Sequence, residues 1–254
     1  MPFPTFTAST TAEQVVDALA EQIHGRNVLI TGTSLNGIGF ETARTIAKYA
    51  NLVIITGYHS ERLKLSEETI RNDVPGANVR PLILDLSSLA AVRKAAEEVN
   101  AYPEPIHVLI HNAAHGGGPF QTTVDGFEIQ MATAHIGPFL LTKLIAPKLL
   151  ASDDIARVVV VSSIAHSAGT GVNLEAVMKP KPEKYLNRSA YEEAKSANVL
   201  FAAELSRRSG GTIKAYSLHP GGISISFVPA VGGSYDYSCF YKHHAESGQQ
   251  VRLN

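Results

Sequence analysis

Short, continuously apolar runs alternate with helical segments along most of this chain, and that alternation restricts the fold more than any other feature. Six runs have the length and composition of buried strands: 28–31, 52–56, 79–84, 107–110, 157–161 and 213–218. Segments with helical spacing of apolar residues separate them: 41–49, 61–71, 89–100, 125–144 and 190–207. This order predicts an α/β fold with one doubly wound parallel sheet of six strands, covered on both faces.

The regions outside this alternation define the predicted domain organisation. Residues 1–24 hold a Pro- and Thr-rich lead-in and a helix that ends at Gly25. Residues 25–222 form the single α/β domain, and residues 223–254 form an irregular tail without sustained periodicity. A membrane-surface role for the N-terminal helix is the less favoured alternative, because acidic residues occupy its polar face: Glu13, Asp17 and Glu21.

Composition excludes several classes of protein. The chain has 254 residues, 44% of them hydrophobic, so it can bury a sizeable core. A net charge of -1 gives no electrostatic basis for binding nucleic acid or an anionic membrane surface. The single cysteine, Cys239, excludes an internal disulfide. No apolar run has the length of about 18 residues that a spanning helix needs, and no secretory signal pattern is present. We therefore expect a cytoplasmic protein, and no metal site is predicted.

A glycine-rich turn follows the first apolar run. Glycines between a strand and a helix let the backbone approach a pyrophosphate, with the helix N–H groups directed at the anion. A plain tight turn is the alternative, but the strand–turn–helix context favours a dinucleotide site. The candidate cofactor-binding residues of this turn are Gly32, Ser34, Leu35, Asn36, Gly37, Ile38 and Gly39.

The end of the second strand indicates which dinucleotide binds. An acidic side chain there would accept hydrogen bonds from a free ribose 2′-hydroxyl and repel a 2′-phosphate. The strand leads into Tyr58, His59 and Ser60, and the first carboxylate is Glu61. NADP(H) is therefore favoured over NAD(H). Tyr58, His59 and Arg62 are candidate cofactor contacts, with ordinary loop and helix surface as the alternative.

Other strand ends supply the remaining candidate cofactor contacts. Asp85, which is followed by Leu86, closes the third strand, where its carboxylate can accept from an adenine amino group or cap the turn. Asn112 and Ala113 follow the fourth strand, where small residues let a cofactor lie against the strand ends. The sixth strand leads into a His-Pro-Gly turn, and the contacts predicted there are Pro220, Gly221 and Ile223.

Tyr191 and Lys195 lie four positions apart on a predicted helix, so they share one face. A nearby ammonium lowers the pKa of a phenol from its ordinary value near 10. Ser163 follows the fifth strand, at the carboxyl edge where such sheets bind ligands, whereas Ser162 fits a turn-forming role better. A surface lysine and a turn-forming serine are the alternatives. Together the three residues predict redox chemistry on a carbonyl, in which the phenol moves a proton and the serine holds the oxygen.

These segments resemble the short-chain dehydrogenase/reductase superfamily, and within it the retinol-dehydrogenase-like and WW-domain-oxidoreductase-like group. The resemblance covers about residues 25–224 and rests on TGTSLNGIG (31–39), LDLSSL (84–89), HNAA (111–114), VSSIAH (161–166), AYEEAKSAN (190–198) and HPGGI (219–223). It implies a Rossmann domain in which Ser163, Tyr191 and Lys195 are catalytic and Lys195 also binds the nicotinamide ribose. It also implies a small lipophilic alcohol or carbonyl substrate, and a homodimer formed through helices that flank the sheet.

The chain departs from the pattern of this group in four respects. The glycine turn has one extra residue, as in some fungal-type members. Ala134 stands where members usually have an asparagine that supports a proton relay, and Ile225 stands where they have threonine. The substrate-covering helix, seventh strand and final helix are not recognisable, so we expect an atypical or truncated C-terminus that leaves strand six at the sheet edge. Two hypotheses follow: an NADP(H)-dependent alcohol dehydrogenase or carbonyl reductase, which is favoured, and a catalytically impaired nucleotide-binding or interaction protein.

Overall fold

The structure, a computed structural model, describes residues 4–7 and 9–221. Its centre is a sheet of six parallel strands: β1 (Asn27–Ile30), β2 (Leu52–Gly57), β3 (Val79–Ile83), β4 (Val108–His111), β5 (Ala156–Val161) and β6 (Ile213–Leu218). The spatial order is β3-β2-β1-β4-β5-β6, so the chain winds outward from β1 in both directions. The predicted six-stranded, doubly wound sheet is confirmed. The strand order reverses between β1 and β4, and sheets of this kind bind ligands at the carboxyl ends of the strands beside that point.

Helices cover both faces of the sheet. Those within the described residues are α1 (Ala12–Ala18), α2 (Ala20–Ile23), α3 (Ile38–Ile46), α4 (Ser60–Asp73), α5 (Leu89–Ala101), α6 (Ile129–Met131), α7 (Gly137–Leu144), α8 (Ala146–Leu150), α9 (Leu174–Met178) and α10 (Asn187–Arg208). A π-helical turn (Ala132–Ile136) joins α6 to α7, and short 3-10 turns occur at Ile164–Ser167 and Pro182–Lys184.

Two apolar clusters form the main core, one on each face of the sheet. Ile30 belongs to the cluster that includes Ile70 of α4. The next residue back, Leu29, belongs to the cluster on the other face, with Leu141 of α7 and Phe201 of α10. Successive strand residues point to opposite faces, so a strand buried on both sides must be apolar throughout. This explains why the strands appear in the sequence as continuous apolar runs.

The predicted N-terminal helix consists of two short helices that meet at Leu19. α1 begins with a capping box in which the Thr11 hydroxyl accepts from the N–H of Gln14 (3.3 Å) and the Gln14 side chain accepts from the N–H of Thr11 (2.9 Å). Glu13 forms an ion pair with Arg44 of α3. The acidic face of this helix therefore contacts the domain. Among the described residues, no helix combines the length and apolarity needed to cross a bilayer.

The single helix predicted over residues 125–144 is wrong in two respects: it begins at Ile129, and a π-helical turn interrupts it. Pro138 has no N–H, so it cannot donate to the carbonyl of Ala134 four residues earlier. Gly137 instead donates to the carbonyl of Ala132, five residues back. The proline is the physical reason for the widened turn, a feature that often occurs at functional sites.

Candidate active site

The glycine turn packs so closely against the end of β4 that side chains do not fit. Gly32 has a φ of +72°, and a Cβ there would lie 2.8 Å from the Cα of Ala113. A Cβ on Gly39 would overlap the side chain of Asn112. Asn36 has a φ of +61°, a conformation that asparagine tolerates better than most residues, so the turn accommodates its extra residue. The turn thus presents main-chain groups ahead of the N-terminus of α3, as a pyrophosphate site requires.

Asn112 ties this turn to the sheet. Its Nδ2 donates to the carbonyls of Thr31 (3.0 Å) and Gly32 (2.9 Å). The Thr31 hydroxyl in turn accepts from the N–H groups of Asn112 (3.0 Å) and Ala113 (3.1 Å). The sequence predicted Asn112 and Ala113 as cofactor contacts. The structure places both beside the glycine turn and gives the Asn112 side chain the further task of joining β1 to β4.

A small cleft opens beside the glycine turn at the end of β2. Its lining residues are Thr33, Ser34, Thr56, Gly57, Tyr58, His59, Arg62 and Leu63. The three contacts predicted from the second strand all line this cleft, and none of the lining residues is acidic. Tyr58 is 66% exposed, with its ring edge-on to His59, so it lies at the rim.

At the end of β3 the structure shows the turn-capping alternative for Asp85. Its Oδ1 accepts from the N–H (2.9 Å) and the hydroxyl (2.6 Å) of Ser87. The side chain of Leu86 is buried in the core. The Leu86 carbonyl lies where a Cβ on Gly137 would sit, so this glycine lets the helix after β4 approach the end of β3. The cofactor contacts of Asp85 and Leu86 stay predictions.

The two serines after β5 face different surroundings. Ser162 is buried, and its hydroxyl donates to the main-chain carbonyl of Lys195 (2.8 Å). Ser163 is half-buried and caps the next 3-10 turn by accepting from the N–H of Ala165 (3.2 Å). A hydroxyl that accepts one hydrogen bond can still donate another. Of the two serines, Ser163 is therefore the one able to reach a ligand.

Lys195 is a buried cation beside the phenol of Tyr191. Its Nζ lies 5.5 Å from the centre of the Tyr191 ring and donates to the carbonyl of Val161 (2.9 Å). The residue is 3% exposed, and burial lowers its pKa to about 8. The group is still mostly protonated at neutral pH. A cation held next to a phenol in a poorly solvated place favours the tyrosinate form.

The segment that carries Ser163 is fastened to α10 on both sides of that serine. The bond from Ser162 to Lys195 lies on one side. On the other side, the hydroxyl of Ser196 is within hydrogen-bond reach of the carbonyl of His166 (3.2 Å) and shares its proton between that carbonyl and the carbonyl of Glu192 (2.9 Å). These bonds hold the Ser163 turn against the part of the helix that carries Lys195.

The chain that leaves β6 reaches the same edge. Burial and the neighbouring His166 both lower the pKa of His219. The described residues end soon afterwards at Gly221, which has a φ of +89°. Pro220 and Gly221 thus lie at the predicted edge. Two positions singled out from the sequence lie outside the described residues: Ile223 and Ile225.

Two polar residues behind Lys195 were not predicted as site residues from the sequence: Asn198, which is buried, and His135, which is half-buried. Asn198 is 2% exposed, and its Nδ2 donates to the carbonyl of Val161 (3.3 Å), the same carbonyl that Lys195 uses. His135, on the π-helical turn, lies beside Asn198; burial lowers its pKa and Asn198 partly offsets this. Pro138 was the available signal, because a proline inside a helix announces a local distortion.

Residues 164–186, the insert between Ser163 and α10, pack against α10. Val172 and Val177 join an apolar cluster that includes Ala194. A cleft of about 170 Å³ lies between this insert and α10, and none of the three candidate catalytic residues lines it. The insert therefore occupies part of the α10 surface, and the homodimer predicted through such helices stays a prediction.

The chain is similar to known proteins over most of its length. The family model described as short chain dehydrogenase matches residues 26–231. Retinol dehydrogenase 13 of Mus musculus is 38% identical over 200 residues, which cover 78% of this chain and 59% of that protein. The WW domain-containing oxidoreductase of Danio rerio is 38% identical over 222 residues, which cover 82% of this chain and 53% of that protein. This chain therefore spans little more than half the length of these relatives.

Solved structures share the architecture. An uncharacterized protein from Mycobacterium paratuberculosis superimposes with a TM-score of 0.66 at 35% identity, over 80% of this chain and 71% of that one. A short chain dehydrogenase from Shigella flexneri, crystallised with NADP, superimposes with a TM-score of 0.62 at 26% identity, over 78% of each chain. With its doubly wound sheet and its glycine turn against β4, this chain belongs to the short-chain dehydrogenase family.

Proposed function

We propose that this chain is an NADP(H)-dependent oxidoreductase that interconverts an alcohol and a ketone or aldehyde, with Tyr191 as the general acid/base. The observation that carries the proposal is the buried ammonium of Lys195, 5.5 Å from the Tyr191 ring, on a helix fastened to the Ser163 turn. A small lipophilic alcohol or carbonyl compound is the substrate class that the family resemblance suggests.

The residues present suit a phosphorylated dinucleotide. Gly32 and Gly39 let the turn pack against the end of β4, where a Cβ would meet Ala113 or Asn112, and α3 begins within this turn at Ile38, so its N-terminal N–H groups are available to a pyrophosphate. In the cleft at the end of β2, hydrogen-bond donors come from Arg62, His59 and Ser34. A carboxylate at this place would repel a 2′-phosphate, and none lines the cleft. The NADP bound to the Shigella flexneri relative supports the same choice.

The roles of the chain's own groups follow from their chemistry. When bound, the nicotinamide supplies the site that gives or takes a hydride. In the reducing direction Tyr191 gives its hydroxyl proton to the substrate oxygen, and the Ser163 hydroxyl donates a hydrogen bond to that oxygen. The Lys195 ammonium stabilises the tyrosinate that remains. In the oxidising direction the tyrosinate accepts the proton of the alcohol.

A catalytically impaired nucleotide-binding protein is the second candidate, and one observation favours it. Ala134 is buried against Ala194 and Ala197 of α10, in an apolar cluster, at the position where members of the group usually have asparagine. An alanine side chain can neither donate nor accept a hydrogen bond, so any proton path to Lys195 has to use other groups.

Fluorescence titration with NADPH and NADH, followed by an aldehyde and ketone panel on the same sample, tests the proposal. We expect NADPH to bind more tightly than NADH and the wild type to turn over. Tyr191→Phe should lose at least about 100-fold in kcat, the scale of a missing general acid, while its NADPH affinity stays within about threefold. Tyr102→Phe is the matched control, because that hydroxyl bonds to Glu98 at the opposite end of the sheet (2.8 Å). Full activity in Tyr191→Phe contradicts the mechanism, and binding without turnover in the wild type favours the second candidate.

A further inference from the structure

The π-helical turn brings two successive residues, Ala134 and His135, against the same helix. Ala134 packs on Ala194 and Ala197 of α10. The His135 ring meets Phe201, further along α10, edge-on at 5.9 Å between centroids. On a regular helix these two neighbours would lie on different faces. Because the turn is widened, Ala134 and His135 both reach α10, the first as an apolar contact and the second as an imidazole.

The imidazole lies next to Asn198, and the Nδ1 of His135 and the Oδ1 of Asn198 are both buried without a hydrogen-bond partner among the described residues. The other end of the Asn198 amide shares an acceptor with Lys195. Asn198 Nδ2 (3.3 Å) and Lys195 Nζ (2.9 Å) both donate to the carbonyl of Val161. Two donors on one carbonyl occupy both of its lone pairs and fix its direction. The lysine side chain has several rotatable bonds and loses much freedom when it is held in one place. A well-fixed acceptor is therefore what keeps the ammonium at its distance from Tyr191.

We propose that Asn198 and His135 are positioning residues for the reaction: Asn198 fixes the Val161 carbonyl that holds Lys195, and the His135 imidazole is the polar partner that the buried Asn198 Oδ1 otherwise lacks. The catalytic role of Asn198 and His135 rests on the proposed function. Their contacts behind Lys195 do not depend on it. It places polar support for the lysine one residue beyond Ala134, on the same turn.

The charge states around Asn198 and His135 indicate that these two residues act on Lys195 through position and not through charge. Burial lowers the pKa of His135, and burial together with His135 lowers the pKa of the adjacent His111 to about 3. Both imidazoles are therefore neutral at neutral pH. Glu192, on the helix of Lys195, is paired with Arg188 (2.7 Å). The other titratable or charged groups on elements packed against this part of α10, or beside Lys195 on α10 itself, are Glu128, Arg157, His166, Tyr191, Glu193, Lys214 and Tyr216.

The test measures the ionisation of Tyr191, which needs neither substrate nor cofactor. The near-ultraviolet tyrosinate signal of Tyr191 is the difference between each variant and the same variant carrying Tyr191→Phe. In Asn198→Leu and in His135→Leu we expect the midpoint to rise by about 0.5–1 pH unit, because the cation is held less firmly beside the phenol. His135→Gln keeps a polar group beside Asn198 and should restore most of the wild-type midpoint.

Asn27→Leu is the matched control. Asn27 is also a buried asparagine whose Nδ2 donates to a main-chain carbonyl, that of Pro105 (2.8 Å), but it lies at the amino end of β1. It should lower stability without moving the Tyr191 midpoint. A folded Asn198→Leu with an unchanged midpoint overturns the proposal, and if that variant does not fold, an unchanged midpoint in His135→Leu decides in the same way.

A second readout separates positioning from packing. With an active carbonyl substrate, the positioning variants should lose about three- to tenfold in kcat, while KM for NADPH changes less than about twofold. An equal loss of kcat in Asn27→Leu would contradict a specific role for the pair. Absence of turnover in the wild type would overturn the proposed function alone, because the Tyr191 titration still tests the positioning.

Discussion

Replacing Lys195 by methionine should stabilise the folded protein while abolishing its proposed activity. The pKa of Lys195 falls from an ordinary 10.5 to about 8 through burial, a difference equivalent to about 3 kcal/mol of unfavourable free energy for the charged form. The substitution also removes the hydrogen bond to Val161 (2.9 Å), worth about 1 kcal/mol, although Asn198 still donates to that carbonyl. We therefore expect a net gain of about 2 kcal/mol at pH 7, or about 4–8 °C in Tm for a chain of this size.

If packing alone caused the effect of Lys195→Met on stability, that effect would not depend on pH. The buried ammonium makes it depend on pH in a definite direction. Below about pH 8 the folded and unfolded chains both carry the ammonium, so the burial cost is present in full. Between about pH 8 and 10.5 the folded chain releases the proton first, so the wild type gains stability as the pH rises. The advantage of Lys195→Met should therefore shrink across that interval and vanish at about pH 10, above which the lost hydrogen bond leaves the variant slightly less stable than the wild type.

Urea unfolding at pH 7 and at pH 10 measures both effects. Lys94→Met, at an exposed lysine of α5, is the matched control and should change stability little at either pH. A Lys195→Met variant that is less stable than the wild type by the same amount at both pH values would refute the reasoning, because it would mean that the buried ammonium carries no desolvation cost.

Three further predictions concern the cofactor and the substrate oxygen. Gly32→Ala should weaken NADPH binding at least about tenfold, because its Cβ would meet Ala113 and its φ of +72° disfavours any side chain; titration of a folded variant with unaltered affinity would contradict this. Arg62→Ala should weaken NADPH binding about tenfold, the scale of a lost charge-assisted bond, and leave NADH binding unchanged; an equal loss for both cofactors would remove Arg62 from the phosphate site. Ser163→Ala should lower kcat about 100-fold with little change in NADPH affinity. Ser162→Ala removes a buried hydroxyl that bonds to the Lys195 carbonyl, so it should act mainly on stability. The reverse pattern would exchange the roles of the two serines.

The sequence predicted those parts of the fold that depend on local pattern. Continuous apolar runs identify buried parallel strands, and the glycines at 32 and 39 are required by contacts that leave no room for a Cβ. The i,i+4 spacing placed Lys195 beside Tyr191, as the 5.5 Å contact shows. The strand pattern and the i,i+4 pair depend on residues close in the chain, and the glycines were recognised from their local strand–turn–helix context although the contacts that require them come from Asn112 and Ala113.

The remaining features depend on contacts between distant segments. The bond from Ser162 to the Lys195 carbonyl, which distinguishes the two serines, joins residues far apart in the chain. Asn198 was overlooked because its partner, the Val161 carbonyl, is a main-chain group without a sequence signature. The helix around Ala134 was predicted as regular because its apolar periodicity outweighed the single proline at 138.

A crystal structure of this protein with bound NADP⁺ tests the central claim most directly. We expect the hydroxyls of Ser163 and Tyr191 to lie within hydrogen-bond reach of one shared point above the nicotinamide ring, about 3 Å from each, with the Lys195 ammonium behind the phenol. A nicotinamide ring bound away from Tyr191, or a Ser163 hydroxyl turned to the far side of its strand, would contradict the account.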